Sequence, residues 1–196
     1  MSGVRQAAGA LAAAALFAGL AAAVASGRTQ RTDDALRRRQ RHPRRGAARN
    51  AALVVKVVGA PNVQVPVAAA IALSLGDAGA PNAASVLAAT GSVYVLDKAC
   101  KVLIHRHRPP GYVGNETLES FPSGHTAAVS ALGITLAQIM ERAGMVRPPL
   151  ATLAAVILTL GVAESRLLLD EHWPTDVLGG ALLGTAIALT VLSVAD

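Results

Sequence analysis

The sequence predicts an all-α, polytopic membrane bundle of about six transmembrane helices with one short interfacial helix. Three observations carry that prediction. Apolar residues make up 53% of the 196-residue chain and its mean hydropathy is +0.45, more than a soluble domain with a polar surface tolerates. Apolar runs close to the length of a bilayer crossing recur along the chain. Short connections rich in Gly, Pro and charged residues separate them, with no repeat and no bias beyond alanine. The single Cys100 rules out an internal disulfide framework and is expected to pack as a small apolar residue.

The elements follow in order. Residues 1–27 are expected to form an N-terminal transmembrane segment whose apolar stretch is Ala7–Ala25. The "AVA" before Ser26 also fits a signal-peptide cleavage site, although the region ahead of the stretch holds only Arg5 as a basic residue. Residues 28–60 are expected to be a basic linker and an interfacial helix. Nine arginines between 28 and 49 stand against Asp33 and Asp34, a local charge near +7. Set just before a hydrophobic block, this segment is expected to meet anionic lipid headgroups rather than nucleic acid, at roughly 1 kcal/mol per basic residue near the surface. The run "NAALVVKVV" (50–58) is too short to cross a bilayer and is expected to lie on it.

Residues 61–196 are expected to form the helical core. Its spans are Pro61–Leu75, Ala83–Ile104, His125–Met140, Leu150–Leu169 and Thr175–Ala195, with a tight turn at 76–82. Crossing parity then places four positions on one side: the end of the Ala83–Ile104 span, the start of His125–Met140, the end of Leu150–Leu169 and the start of Thr175–Ala195. They hold Lys101 to Arg108, Ser123 to His125, Ser165 with Arg166, and His172 to Asp176. The opposite loops carry little beyond Asp77, Glu141, Arg142 and Arg147.

What converges is suited to an oxyanion. Lys101, Arg108 and Arg166 are fixed cations, and each arginine can fork onto two oxygens of a tetrahedral phosphate. Arg166 lies in an otherwise apolar stretch, where a charge marks function. Asp97, four residues before Lys101, can hold the lysine in place; snorkelling at a helix end is the plainer use of Lys101. Ser123 and Gly124 open a helix after Pro122, offering unpaired N–H groups and a backbone with no Cβ in the way; an ordinary N-cap uses the same geometry. His172 has Asp176 four residues on to hold one ring nitrogen and leave the other nucleophilic. His125 can donate a proton to a leaving oxygen. His105 and His107 read as loop residues without a role, and Trp173 as a membrane-interface marker. A metal held by His125, His172 and Asp176 is the rival use of those three, opposed by the surrounding cations.

The set K-x6-RP (Lys101, Arg108, Pro109), PSGH (Pro122 to His125) and SR-x5-H-x3-D (Ser165, Arg166, His172, Asp176) resembles the type 2 phosphatidic acid phosphatase superfamily. The motifs run from Lys101 to Asp176, and the helical plan extends the resemblance over most of the chain. The resemblance implies a lipid phosphatase that needs neither metal nor cofactor. His172 would attack phosphorus to give a phosphohistidine, oriented by Asp176, and His125 would protonate the leaving group and activate water. Lys101, Arg108, Ser123, Gly124 and Arg166 would cradle the phosphoryl oxygens, with Asp97, Pro122 and Ser165 in support. Soluble vanadate haloperoxidases share the motif logic but not this composition, and an inactive membrane scaffold would not need both histidines.

The expected partner is a lipid phosphate drawn from the bilayer, in a bacterial plasma (inner) membrane. An undecaprenyl diphosphate phosphatase would have an extracytoplasmic site, and a polyprenyl phosphoribose phosphate phosphatase a cytoplasmic one. The 28–49 arginines share the site's side, and the positive-inside rule leans that side towards the cytoplasm.

Overall fold

The structure, a computed structural model, describes residues 3–40, 45–76, 79–112, 114 and 117–195. Residues 41–44 of the expected basic linker and Asp77 of the expected turn lie outside the described residues. The described residues form eight helices: α1 (Gly3–Ala25), α2 (Gln30–Arg39), α3 (Ala47–Val58), α4 (Pro61–Leu75), α5 (Ala80–Ile104), α6 (Gly124–Arg142), α7 (Leu150–Leu168) and α8 (Pro174–Val194). Alanine and leucine favour helix throughout, and the starts follow local rules. Pro61, Pro81 and Pro174 occupy the first turns of α4, α5 and α8, where a missing N–H costs nothing, and Ser123 is the N-cap of α6.

Three helices, α1, α7 and α8, are long and apolar enough to cross a membrane. The pair α3–α4, bent by 44° at Gly59–Ala60, passes as a fourth when taken together. Thus α3, expected to lie on the bilayer by itself, leans on α7 and continues obliquely into α4. Helices α5 and α6 run 25 and 19 residues but carry polar side chains where the others are apolar. Asp97 and Lys101 are half-buried near the end of α5, and Ser130, Thr135 and Gln138 are buried along α6. These are inward faces, whereas Leu16, Leu73, Val95, Leu103 and Leu160 point outward, as lipid-facing positions require.

The bundle is organised around α8, which packs against α6, α1 and α5. One apolar cluster joins Ala89 and Val93 of α5, Ala127 and Ala131 of α6, and Leu183 and Ile187 of α8. A second joins α6, α7 and α8 through Ile134, Ala137, Ala155 and Ala188. The α6–α8 seam is backbone against backbone. A Cβ on Gly180 would stand 2.5 Å from the Ser123 carbonyl oxygen, and one on Gly184 would stand 2.7 Å from Ser130 Cβ. The Gly180–Gly184 pattern therefore packs helices within the chain. That close approach brings the N-termini of α6 and α8 side by side, and Ser123 N donates to the Asp176 carbonyl at 3.0 Å.

Candidate active site

The four segments expected on one side meet at one end of the bundle, around the first turns of α6 and α8. Helix α5 ends with His105 in the left-handed conformation, its N–H capping the Lys101 carbonyl. Asp97 and Lys101, one turn apart on α5, form an ion pair at 2.8 Å. Gly124, which opens α6, faces that pair: a Cβ there would come 2.9 Å from Asp97 Oδ1. Gly124 thus lets α5 and the start of α6 approach.

Arg108 follows the turn after α5 and is buried. Its Nε donates to the Thr117 carbonyl at 2.7 Å, and its Nη1 donates to the Glu171 carbonyl at 2.7 Å and lies 3.3 Å from His172 Nε2. The Tyr112 ring stacks under the guanidinium, 4.6 Å away. With Nε2 directed at a cation that is always charged, it is the acceptor nitrogen, and the proton belongs on Nδ1. Asp176 Oδ2 stands 3.5 Å from that Nδ1, at the edge of hydrogen-bond reach. The same oxygen accepts from Trp173 N at 2.8 Å, closing the first turn of α8, so the backbone of α8 sets the carboxylate's direction.

The remaining expected residues fall around this core. Arg166, at the end of α7, is fully buried and paired with Glu171. Ser165 returns its hydroxyl to the Val162 carbonyl at 2.7 Å and so serves α7 itself. Ser123 is buried, with its Oγ 3.0 Å from Thr126 Oγ1. Pro122 is buried beside it. His125, on the first turn of α6, lines a cleft of about 510 Å³ with Lys101, Arg108, Asp97 and Gly124. Away from these groups, Ala60, Pro61, Val65, Val93 and Ala128 make the walls apolar.

Trp173 differs from its expected place at the membrane interface. It is buried, donates its Nε1–H to the His107 carbonyl at 2.9 Å and lies under Arg106, 5.4 Å from its ring centre. His105 and His107 are exposed, and His107 takes part through its backbone alone.

Four residues that sequence reasoning left aside join the site. Arg106 Nη1 contacts Asp176 Oδ1 at 2.7 Å and Thr175 Oγ1 at 2.6 Å, while its Nη2 pairs with Asp33 Oδ2 at 2.5 Å. Asp33 comes from α2, inside the segment expected to be a basic linker, and is fully buried. Glu171, next to His172, bridges Arg166 and Lys56 of α3, the latter at 2.6 Å. One signal was available for Asp33: it is an acid in a run of arginines, and it precedes Arg37 by one helical turn. Lys56 similarly interrupts an apolar run.

Comparison with known proteins gives this arrangement its family. A solved structure described as the first transmembrane PAP2 type phosphatidylglycerolphosphate phosphatase, from Bacillus subtilis, superposes with a TM-score of 0.81. The match covers 94% of both chains at 24% identity, which is a likeness of fold. An undecaprenyl-diphosphatase of Sulfolobus acidocaldarius is 31% identical over 101 residues, 48% of this chain; the chain spans about half the length of that relative, 46% of it. The family profile described as PAP2 superfamily matches residues 82–196, which hold every motif from Lys101 to Asp176. The chain belongs to the PAP2 superfamily.

Proposed function

We propose that this protein is a membrane lipid phosphatase that hydrolyses a phosphomonoester or diphosphate on a lipid through a phosphohistidine at His172. The observation that carries the reading is the cleft itself. Lys101, Arg108 and His125 stand at its polar end, and apolar walls from α4, α5 and α6 lead away from them. Such a cleft suits an amphiphile whose phosphate reaches the cations while its chain stays among apolar side chains.

The chemistry follows from the side chains. His172 Nε2 attacks phosphorus, forming a P–N bond as the P–O bond to the lipid breaks, and His125 gives the leaving oxygen its proton. Asp176 keeps the Nδ1 proton in place and supports the charge that develops on the imidazole. Lys101, Arg108 and Arg166, with the N–H groups at the start of α6, take the phosphoryl oxygens, where positioning and charge stabilisation supply most of the acceleration. In the second half a water gives its proton to His125 and attacks phosphorus, the P–N bond breaks, and phosphate leaves.

The site opens on the same end as α2, where Arg31, Arg38 and Arg39, with Arg28 in the preceding turn, are exposed. These arginines are suited to anionic headgroups, and by the positive-inside rule they favour a cytoplasmic site and a lipid phosphate made inside, such as a polyprenyl phosphoribose phosphate. A second reading, a polyprenyl diphosphate hydrolysed on the outer face, is favoured by the name of the Sulfolobus relative. Phosphate release by purified wild type and His172→Ala, with EDTA present, tests the reading. The substrates are polyprenyl diphosphate, polyprenyl phosphoribose phosphate, phosphatidic acid and phosphatidylglycerophosphate. Release by the wild type alone supports it and the preferred lipid names the substrate; activity surviving in the variant removes His172 from the mechanism.

A further inference from the structure

We propose that Asp33 on α2 is a positioning residue for the phosphatase chemistry, acting through Arg106 on the carboxylate of Asp176. The proposal rests on the reading of His172 as the nucleophile. Arg106 lies between two fully buried carboxylates, with Nη1 2.7 Å from Asp176 Oδ1 and Nη2 2.5 Å from Asp33 Oδ2. A guanidinium bound to Asp176 alone would draw that carboxylate's charge away from His172. Asp33 takes the other edge of the fork, so the buried group of three keeps one net negative charge, and Asp176 remains able to support a cationic imidazole.

Asp33 also fixes the direction of Asp176. It accepts from Thr175 N at 3.0 Å and from Thr175 Oγ1 at 2.7 Å, holding the first turn of α8 one residue before Asp176. One helical turn along α2, Arg37 binds Asp170 Oδ1 at 2.7 Å and the Pro110 carbonyl at 2.7 Å. Helix α2 is therefore clipped on both sides of the loop that carries His172. Asp33 and Arg37 lie outside residues 82–196, the part of the chain that matches the family profile, whereas Arg106, Asp170, Thr175 and Asp176 lie inside it.

The test compares wild type, Asp33→Asn, Asp33→Glu, Arg106→Gln, the double variant Asp33→Asn with Arg106→Gln, and His172→Ala. Each is purified in detergent and assayed on dioctanoyl phosphatidic acid, with kcat expressed per folded molecule. Asp33→Asn is expected to lower kcat about tenfold with KM unchanged within about twofold, because the phosphate cradle is untouched. Asp33→Glu is expected to recover part of the loss. The losses are expected to be less than multiplicative in the double variant, since Asp33 acts in large part through that arginine. Losses that multiply in the double variant, a rise in KM that accounts for the whole effect of Asp33→Asn, or a kcat within about twofold of wild type would each overturn the proposal. A fall in melting temperature with kcat per folded molecule intact makes Asp33 a fold clip only and also overturns it. Activity in His172→Ala would instead overturn the reading on which the proposal rests, so the two failures are told apart.

Discussion

Lys56 Nζ lies 2.6 Å from Glu171 Oε1, tying α3 to the residue that immediately precedes His172. The other oxygen of Glu171 is on Arg166, one of the cations expected to bind phosphate. On the proposed reading this carboxylate holds the place on Arg166 that a phosphoryl oxygen would take during turnover, and Lys56 compensates its charge. A buried arginine without such a partner would be costly, so the pair stabilises this end of the bundle and, on that reading, would compete with the substrate.

Glu171→Gln should shift that balance towards the substrate. KM for a lipid phosphate is expected to fall roughly threefold to tenfold, as one competing charge-assisted contact is weakened. Thermal stability of the empty protein is expected to fall as well, with part of the loss restored by added inorganic phosphate. An unchanged KM, measured at fixed lipid fraction in mixed micelles, would show that Glu171 does not compete for Arg166.

Arg108→Lys should separate charge from geometry. A lysine keeps the charge but cannot reach the Thr117 carbonyl, the Glu171 carbonyl and His172 Nε2 together, as the guanidinium does. A loss of roughly a hundredfold in kcat/KM is expected, the scale of removing one preorganised donor from a developing oxyanion. Steady-state kinetics on the preferred lipid reads the effect, and retention of more than about a third of the wild-type value would mean that charge alone suffices.

Gly124→Ala should perturb the site without removing a charged group. The added methyl would meet Asp97 Oδ1 at 2.9 Å and displace the Asp97–Lys101 pair or the first turn of α6. A decrease in kcat/KM of about tenfold is expected, with the melting temperature lowered by a few degrees. Full activity would mean that the α5–α6 contact yields without moving Lys101.

Gly184→Ala tests the bundle. A Cβ there meets the Ala127 carbonyl oxygen and Ser130 Cβ, and backbone does not move aside cheaply. A destabilisation of about 1–3 kcal/mol is expected, the range for overpacking a dense interior. Reversible unfolding in mixed detergent measures it, and a stability equal to wild type would show that the seam opens freely.

Much of the fold and the centre of the site were legible in the chain, for physical reasons that also mark the limits. Crossing parity alone placed Lys101, His125, Arg166 and His172 at one end, because a helix that crosses must return. The i, i+4 spacings that join Asp97 to Lys101 and His172 to Asp176 are local, so sequence displays them. Asp33 and Arg106 are 73 residues apart, and Lys56 and Glu171 are 115 apart. No periodicity records such pairings. The arginine-rich composition around Asp33 pointed to the membrane surface and concealed that its acid faces inward. Trp173 misled in the opposite direction. Its amphipathic ring suits an interface, but a partner for its N–H inside the protein, the His107 carbonyl, allowed it to be buried.

The glycine seam between α6 and α8 has a consequence for how such an enzyme diversifies. Ser123 N binds the Asp176 carbonyl directly, so the helix that carries His125 and the helix that follows His172 are bolted main chain to main chain, at a point where no side chain can be exchanged to adjust their spacing. The reactive geometry is thereby insulated from drift. Helices α3 and α4, with their junction, instead supply Lys56 beside Glu171 and the cleft wall at Ala60, Pro61 and Val65. Two descendants of one such chain could come to process different lipids by remodelling that wall while their hydrolytic centres stayed superimposable.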